Sequence, residues 1–340
     1  MDTVASRPDR SVTRVPYLAR CCWCVVVVWC ASALASALCA GSAVEGPAEA
    51  LFAASLAIFV VLHGLTLYRW VGVMGFIGIT AMVAFGFEAC SVATGFPFGH
   101  YVHHLGGPRA LGVPFEVVAG WVVLGWLAWA LARGIVGQFQ NRRLCLIATP
   151  LVASLVIGGY DLVMDPIAAY VRGLYSYAVP SGALGVPVSN FFGWLFTGWV
   201  IFQCFAMIEW QWRRESHRVS RSVLLMPSLI WCVLALQVTI NMLRAGDAIV
   251  TIHSGMVLPV ADIYESCAEA AWFTMVFAAV VSVVRIVADP SRANPLAQSV
   301  GRLRRPPPDR VVHGANYDDQ IPLPQLRWGQ MTGGRRDDLA

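Results

Sequence analysis

The chain has 340 residues, 57% hydrophobic and 13% charged, with 13 Trp and a formal net charge of +4. Soluble domains carry about a quarter charged residues, so an ordinary water-soluble globule is excluded. The modest positive charge is spread between apolar runs and gives no basic groove for nucleic acid.

Apolar runs of about 20 residues are long enough to cross a bilayer as helices. Eight are expected, at about 19–40, 50–68, 73–92, 116–133, 144–164, 190–210, 223–243 and 267–287. In lipid every backbone polar group must be paired within its segment, and none of the runs alternates as a barrel strand would. The expected fold is therefore all-α, a polytopic transmembrane helical bundle over 19–287. It lies between a cytoplasmic N-terminal tail (1–18) and a Pro-rich, disordered cytoplasmic tail (288–340) containing "RLRRPPPDR".

The first span follows Arg7, Arg10, Arg14 and Arg20 and ends near "ALCA". A cleaved signal peptide is one reading; the length of the apolar stretch favours an anchor. Cys21, Cys22 and Cys24 at its start suit either palmitoylation or plain helix packing. Lys is absent, and 21 of the 24 Arg fall on one side of the expected spans, against Arg109, Arg172 and Arg244 on the other. Positively charged loops stay inside, so both termini are expected in the cytoplasm and the protein in the plasma membrane.

The third span ends at Glu88 and opens a long loop, 93–115, "ATGFPFGHYVHHLGGPRALGVPF". The fifth ends in "YDLVMDP", with Asp161 and Asp165 one turn apart on one helix face. Pro166 disfavours helix at the preceding residue, so the helix is expected to stop there. A second long loop, 165–189, leads to a sixth span that opens at Asn190 and Trp194. Both loops are rich in Gly, Pro and aromatics, and both are expected outside, folded back against the bundle.

These loops repeat. "ALGVPFEVVAGWVVLGW" (110–126) and "ALGVPVSNFFGWLFTGW" (183–199) match at a constant offset of 73, which also carries Glu88 onto Asp161 and Trp121 onto Trp194. Two helical hairpins, about 73–133 and 144–210, are expected to form a parallel internal repeat related about the membrane normal. Asn190 departs from it, because its equivalent is Val117.

An ionisable residue within a span is costly and points to function. Glu88, Asp161 and Asp165 are expected to converge, and carboxyls that close cannot all ionise cheaply. One would then keep a proton to give as a general acid. The bland reading is that each snorkels to water or pairs with Arg109 or Arg172. His100, His103 and His104 resemble metal ligands only loosely, and no metal is expected. Asp262, Glu265 and Glu269 form an acidic stripe that either joins the site or caps the last helix. Glu209 has Arg213 one turn on as its partner.

"YDLVMDPIAAY" with "GVPVSNFFGW", and "FEACSVATGFPFGHY" with its own "GVP", resemble the membrane carotenoid-biosynthesis family of the CruF-type carotenoid 1',2'-hydratases. That resemblance, over about 85–200, implies an enzyme that adds water across the terminal double bond of an acyclic carotenoid without a cofactor. Protonation would give a tertiary carbocation, which water captures. Glu88, Asp161 and Asp165 would be the catalytic carboxyls, and Tyr101, Trp121, Tyr170, Asn190 and Trp194 the substrate-binding wall. Expected partners are the carotenoid, membrane lipid and other carotenoid enzymes.

Three rivals stay open. A carotenoid cyclase would use the same protonation. A membrane prenyltransferase would use Asp-x-x-x-Asp for Mg²⁺, but needs two such motifs, and Glu88 with Val92 does not supply the second. A transporter or structural bundle needs no chemistry. A retinal photoreceptor is excluded, since no Lys can form the Schiff base.

Overall fold

A computed structural model describes residues 10–137, 142–212, 220–252 and 255–289. They form α1 (Arg10–Leu38), α2 (Glu45–Leu67), α3 (Trp70–Thr94), α4 (Phe115–Val136), α5 (Arg142–Pro166), α6 (Val188–Trp212), α7 (Arg221–Arg244), α8 (Val260–Ala271) and α9 (Phe277–Ala288). A π-helical turn, Trp272–Val276, joins α8 to α9. Among the described residues eight helical segments are long and apolar enough to cross a membrane, one for each expected span. The protein is a polytopic helical membrane protein.

The ends of the spans differ from the sequence reading in three places. Helix α1 begins at Arg10, inside the stretch read as a tail; residues 1–9 and 290–340 lie outside the described residues. The last span begins at Val260 rather than near 267, because Asp262, Glu265 and Glu269 lower the local hydropathy of a stretch that is helical all the same. Pro166 does not stop the fifth span. It keeps helical angles (φ −61°, ψ −38°) and leads into a π-helical turn, Ile167–Val171, whose end is bonded from the Arg172 N–H to the Ile167 carbonyl at 2.8 Å. A proline crowds the carbonyl four residues back and brings no N–H, and the wider i to i+5 turn accommodates both.

Between helices in lipid the hydrophobic effect offers little, so packing and small residues decide the contacts. Helices α5 and α6 meet through two glycines used reciprocally. A Cβ on Gly158 would stand 2.5 Å from Leu195 Cδ2, and one on Gly198 would stand 3.0 Å from Ile157 Cγ2. Trp121, Trp126 and Trp129 of α4 are buried in the centre. Helix α3 packs on α4 and α6, and α5 packs on the same two, which closes a ring of four. Helices α1, α2, α7, α8 and α9 surround it.

The 73-residue repeat persists in the backbone. Helices α4 and α6 start at Phe115 and Val188, an offset of 188 − 115 = 73. Ahead of them Leu111 and Leu184 both adopt φ 49°, followed by Gly112 at φ 82° and Gly185 at φ 77°. Positive φ is uncommon for a residue with a side chain, so its recurrence at equivalent leucines marks one turn built twice.

The sequence did not reveal the short strands. These are β1 (Tyr101–His103), β2 (Arg109–Ala110), β3 (Val113–Pro114), β4 (Tyr175–Tyr177), β5 (Ile249–Thr251) and β6 (Val257–Pro259). The pairs β2–β3 and β5–β6 are local hairpins, whereas β1 pairs antiparallel with β4, joining the two repeat loops. Tyr101 faces Tyr177, Val102 faces Ser176 and His103 faces Tyr175. Bonds from His104 N to Leu174 O (2.8 Å) and from Ala178 N to His100 O (2.9 Å) extend the ribbon. This is the pairing a local two-fold axis between the copies produces.

Candidate functional site

The carboxyls stand at the ribbon end of the four-helix ring, on α3 and α5, and all are buried: Glu88 is 4% exposed, Asp161 1% and Asp165 5%. A buried charge must be paired or hydrogen-bonded, and each here has named donors. Glu88 Oε1 accepts from Trp121 Nε1 at 2.8 Å, and Oε2 accepts from the Tyr101 hydroxyl. Asp165 accepts from Tyr175 on Oδ1 at 2.5 Å, and from Tyr177 on Oδ2 at 2.7 Å. Asn190, in the first turn of α6, donates Nδ2 to Asp165 Oδ2 and reaches the Asp161 oxygens at 3.3 and 3.4 Å.

The ribbon explains how these donors arrive. Alternate residues of a strand face the same side, so Tyr101 and His103 turn inward while Val102 is 60% exposed. On the partner strand Tyr175 and Tyr177 take the inward positions. The Tyr101 ring lies 6.2 Å from Tyr175 and 6.3 Å from Tyr177, so the Glu88 group and the Asp161–Asp165 group share one aromatic roof. Burial pushes all three phenols well above the usual tyrosine range. Glu88 adds to this at Tyr101, and Asp165 at Tyr175 and Tyr177. They therefore remain hydrogen-bond donors throughout the neutral range.

Other predicted residues fall elsewhere. Trp121 and Trp194 stack, but Tyr170 is not aimed at the carboxyls: its hydroxyl donates to the Gly185 carbonyl at 2.8 Å and holds the second loop. Neither Arg109 nor Arg172 pairs with a buried carboxyl. Arg109 donates to Leu105 O, and Arg172 bridges Glu49 at 2.8 Å. Asp262, Glu265 and Glu269 are exposed and do not join the site. The three histidines diverge: His100 is exposed, His104 bonds Ser176 Oγ at 2.9 Å, and His103 is buried beside Glu88.

Residues 46–261, more than half of the chain and all of this site, match the family described as carotenoid biosynthesis protein. The chain belongs to that family. The bisanhydrobacterioruberin hydratase of Haloarcula japonica is 30% identical to the chain over 119 residues. That stretch is 34% of this chain and 39% of the relative, so the match covers about two fifths of the relative's length. No solved structure matches the chain.

For a member of this family, a second buried polar cluster is also present, under the opposite end of the ring. Glu209 pairs with Arg133 at 2.5 Å and accepts from the Tyr68 hydroxyl at 2.7 Å; Trp129 Nε1 donates to Tyr68 at 3.0 Å. Sequence spacing gave Glu209 the partner Arg213, which lies outside the described residues. Among the described residues Glu209 has Arg133 of α4 as a partner, a contact no helical period reveals. Sequence reasoning also missed Tyr175 and Tyr177, and it weighed His103 only as one of three loosely metal-like histidines. The signal for the tyrosines was present in "YSY", whose period of two places both on one face of a strand.

Proposed function

We propose that the chain is a cofactor-independent carotenoid hydratase that adds water across the terminal double bond of an acyclic carotenoid. The observation that carries this reading is the inequality of the three buried carboxyls. Asp165 holds three donors and Glu88 two, while Asp161 receives only the long contacts from Asn190. Asp165 and Glu88 thus have their oxygens taken up by donors, and Asp161 is the carboxyl assigned to give the proton.

Asp161 transfers that proton to the less substituted carbon of the alkene, leaving a tertiary cation at the branched carbon. The faces of Tyr101, Trp121 and Trp194 steady the cation electrostatically, Tyr170 shapes the adjoining loop, and Asn190 fixes Asp161 against Asp165. Water aligned by Glu88 forms the C–O bond and gives up a proton, and the product is a tertiary alcohol. The relative named as a hydratase supports the reaction class. The prenyltransferase reading is disfavoured, because Tyr175, Tyr177 and Asn190 occupy the Asp165 oxygens that Mg²⁺ would need.

The orientation belongs to the same proposal: a plasma-membrane protein with both termini cytoplasmic and the β1–β4 ribbon at the outer face, so that a lipid-soluble carotenoid and membrane lipid are its partners. A host that makes an acyclic carotenoid but no hydroxylated product tests the activity. Expression of the chain should yield a carotenoid heavier by one water and bearing a tertiary alcohol. A product of unchanged mass with a terminal ring would instead make it a cyclase, and unaltered pigment would remove the enzymatic reading.

A further inference from the structure

His103 has no role in the scheme above. It sits on β1 with 7% of its surface exposed, and neither ring nitrogen has a hydrogen-bond partner among the described residues. Buried polar atoms are nearly always hydrogen-bonded, to protein or to ordered water. Here the ring is fixed by its neighbours: its centroid is 4.9 Å from Tyr101 at 87°, and 6.3 Å from Tyr175 at 83°. Its Nε2 stands 3.6 Å from Glu88 Oε2. That distance is too long for a direct hydrogen bond and suits two groups sharing one water. Glu88 Oε2 already accepts from Tyr101, so the roof, the carboxylate and the imidazole come together as one polar niche under the roof shared with Asp165.

We propose that His103 is a catalytic residue which, with Glu88, seats the water added to the substrate and accepts the proton that water releases. This deepens the hydratase reading and rests on it. The water oxygen lone pair forms the bond to the tertiary cation, and the resulting oxonium loses H⁺ to His103 Nε2. The proton held on His103 is then released and Asp161, left as the carboxylate after protonating the alkene, takes one up through water, so that both groups return to their starting forms and no net proton is consumed. No oxidant, reductant or metal enters. The charged and titratable groups facing the ring are Glu88 on α3, Tyr101 on its own strand, and Tyr175 on the paired strand.

The test compares His103→Ala and His103→Gln with His104→Ala, an exposed neighbour outside the niche, in membranes supplied with an acyclic carotenoid. General-base groups contribute about 10² to 10⁴-fold in rate. Both His103 variants should lose at least about a hundredfold while accumulating normally, and His104→Ala should match the parent. Added imidazole should restore part of the His103→Ala rate, which a purely structural lesion would not allow. A second readout needs no turnover: infrared difference spectra in H₂¹⁶O and H₂¹⁸O should show an ordered-water band that disappears in His103→Ala and in Glu88→Gln alike. Full activity in His103→Gln, or an ordered-water band retained in His103→Ala, would overturn the proposal while leaving the hydratase reading in place. A parent protein that makes no hydrated product would sink that reading, and the infrared result alone would still decide the water seat.

Discussion

Trp121 and Trp194, equivalent residues of a 73-residue repeat, stack on each other with ring centroids 4.0 Å apart and planes 22° apart. Equivalent side chains meet face to face only where the copies approach a common axis, and the β1–β4 register places the same relationship in the loops above. The duplicated hairpins therefore bring Glu88 of the first copy and Asp161 of the second under one ribbon.

The proposed acid is the first group to remove. Asp161→Asn keeps the shape and the contact with Asn190 but has no proton of the needed acidity. Hydration should fall by about 10² to 10⁴-fold, with the protein still present in the membrane. Pigment analysis normalised to immunodetected protein checks both halves of the statement.

Glu88→Gln should also abolish most hydration, but Tyr101→Phe and Trp121→Phe should each cost less, since each leaves the other donor on Glu88. Initial rates of the three variants, measured side by side, give the order. Equal loss in all three would mean that Glu88 acts through geometry alone.

Alkaline pH should act through the roof. The Tyr101, Tyr175 and Tyr177 phenols are pushed up by burial and neighbouring carboxylates. Their contribution to stability is complete below the ordinary tyrosine value of about 10, and is lost as pH rises through the elevated folded values. In an ultraviolet absorbance titration these phenols should ionise only together with unfolding. A Tyr175→Phe/Tyr177→Phe variant should shrink that late step.

The Arg133–Glu209 pair predicts a stability effect with no chemistry. The two side chains are 21% and 12% exposed. Removing one partner of a buried pair leaves the other charge uncompensated, at a cost on the order of 3 kcal/mol. Arg133→Leu or Glu209→Leu should lower the thermal midpoint in detergent, and the double variant should recover much of the loss.

Reporter fusions address orientation. Insertions at Gly106 and Ser181 should report the non-cytoplasmic side, and a fusion after Ala340 the cytoplasm. A cytoplasmic signal from either loop would reverse the Arg-based assignment.

Much of the fold was legible because lipid imposes simple rules. Length and apolarity marked all eight spans, and the register of "ALGVP" and Gly-Trp revealed the duplication. Asn190 stood out as the polar residue where the repeat has Val117. The errors have physical causes. Pro166 was read by its local preference, but the helix absorbs it in a π-helical turn. Glu209 also draws Arg133 from α4, a partner that spacing along one helix does not show. Tyr170 shares a loop with Tyr175 and Tyr177, but only residues on the paired strand acquire the alternation that aims them inward. Ribbon pairing across 74 residues leaves little trace in either strand alone.

The donors around each acid lie close to it in the chain. Glu88 is served by Tyr101 and Trp121, whereas Asp165 is served by Tyr175, Tyr177 and Asn190. Each hairpin thus leaves the translocation machinery carrying the donors for its own carboxyls, and the pairing of β1 with β4 sets the tyrosines in place when the halves meet. Biogenesis then reduces to the docking of two polar modules, and a gene split between Val136 and Arg142 should still yield a protein whose halves find each other in the bilayer.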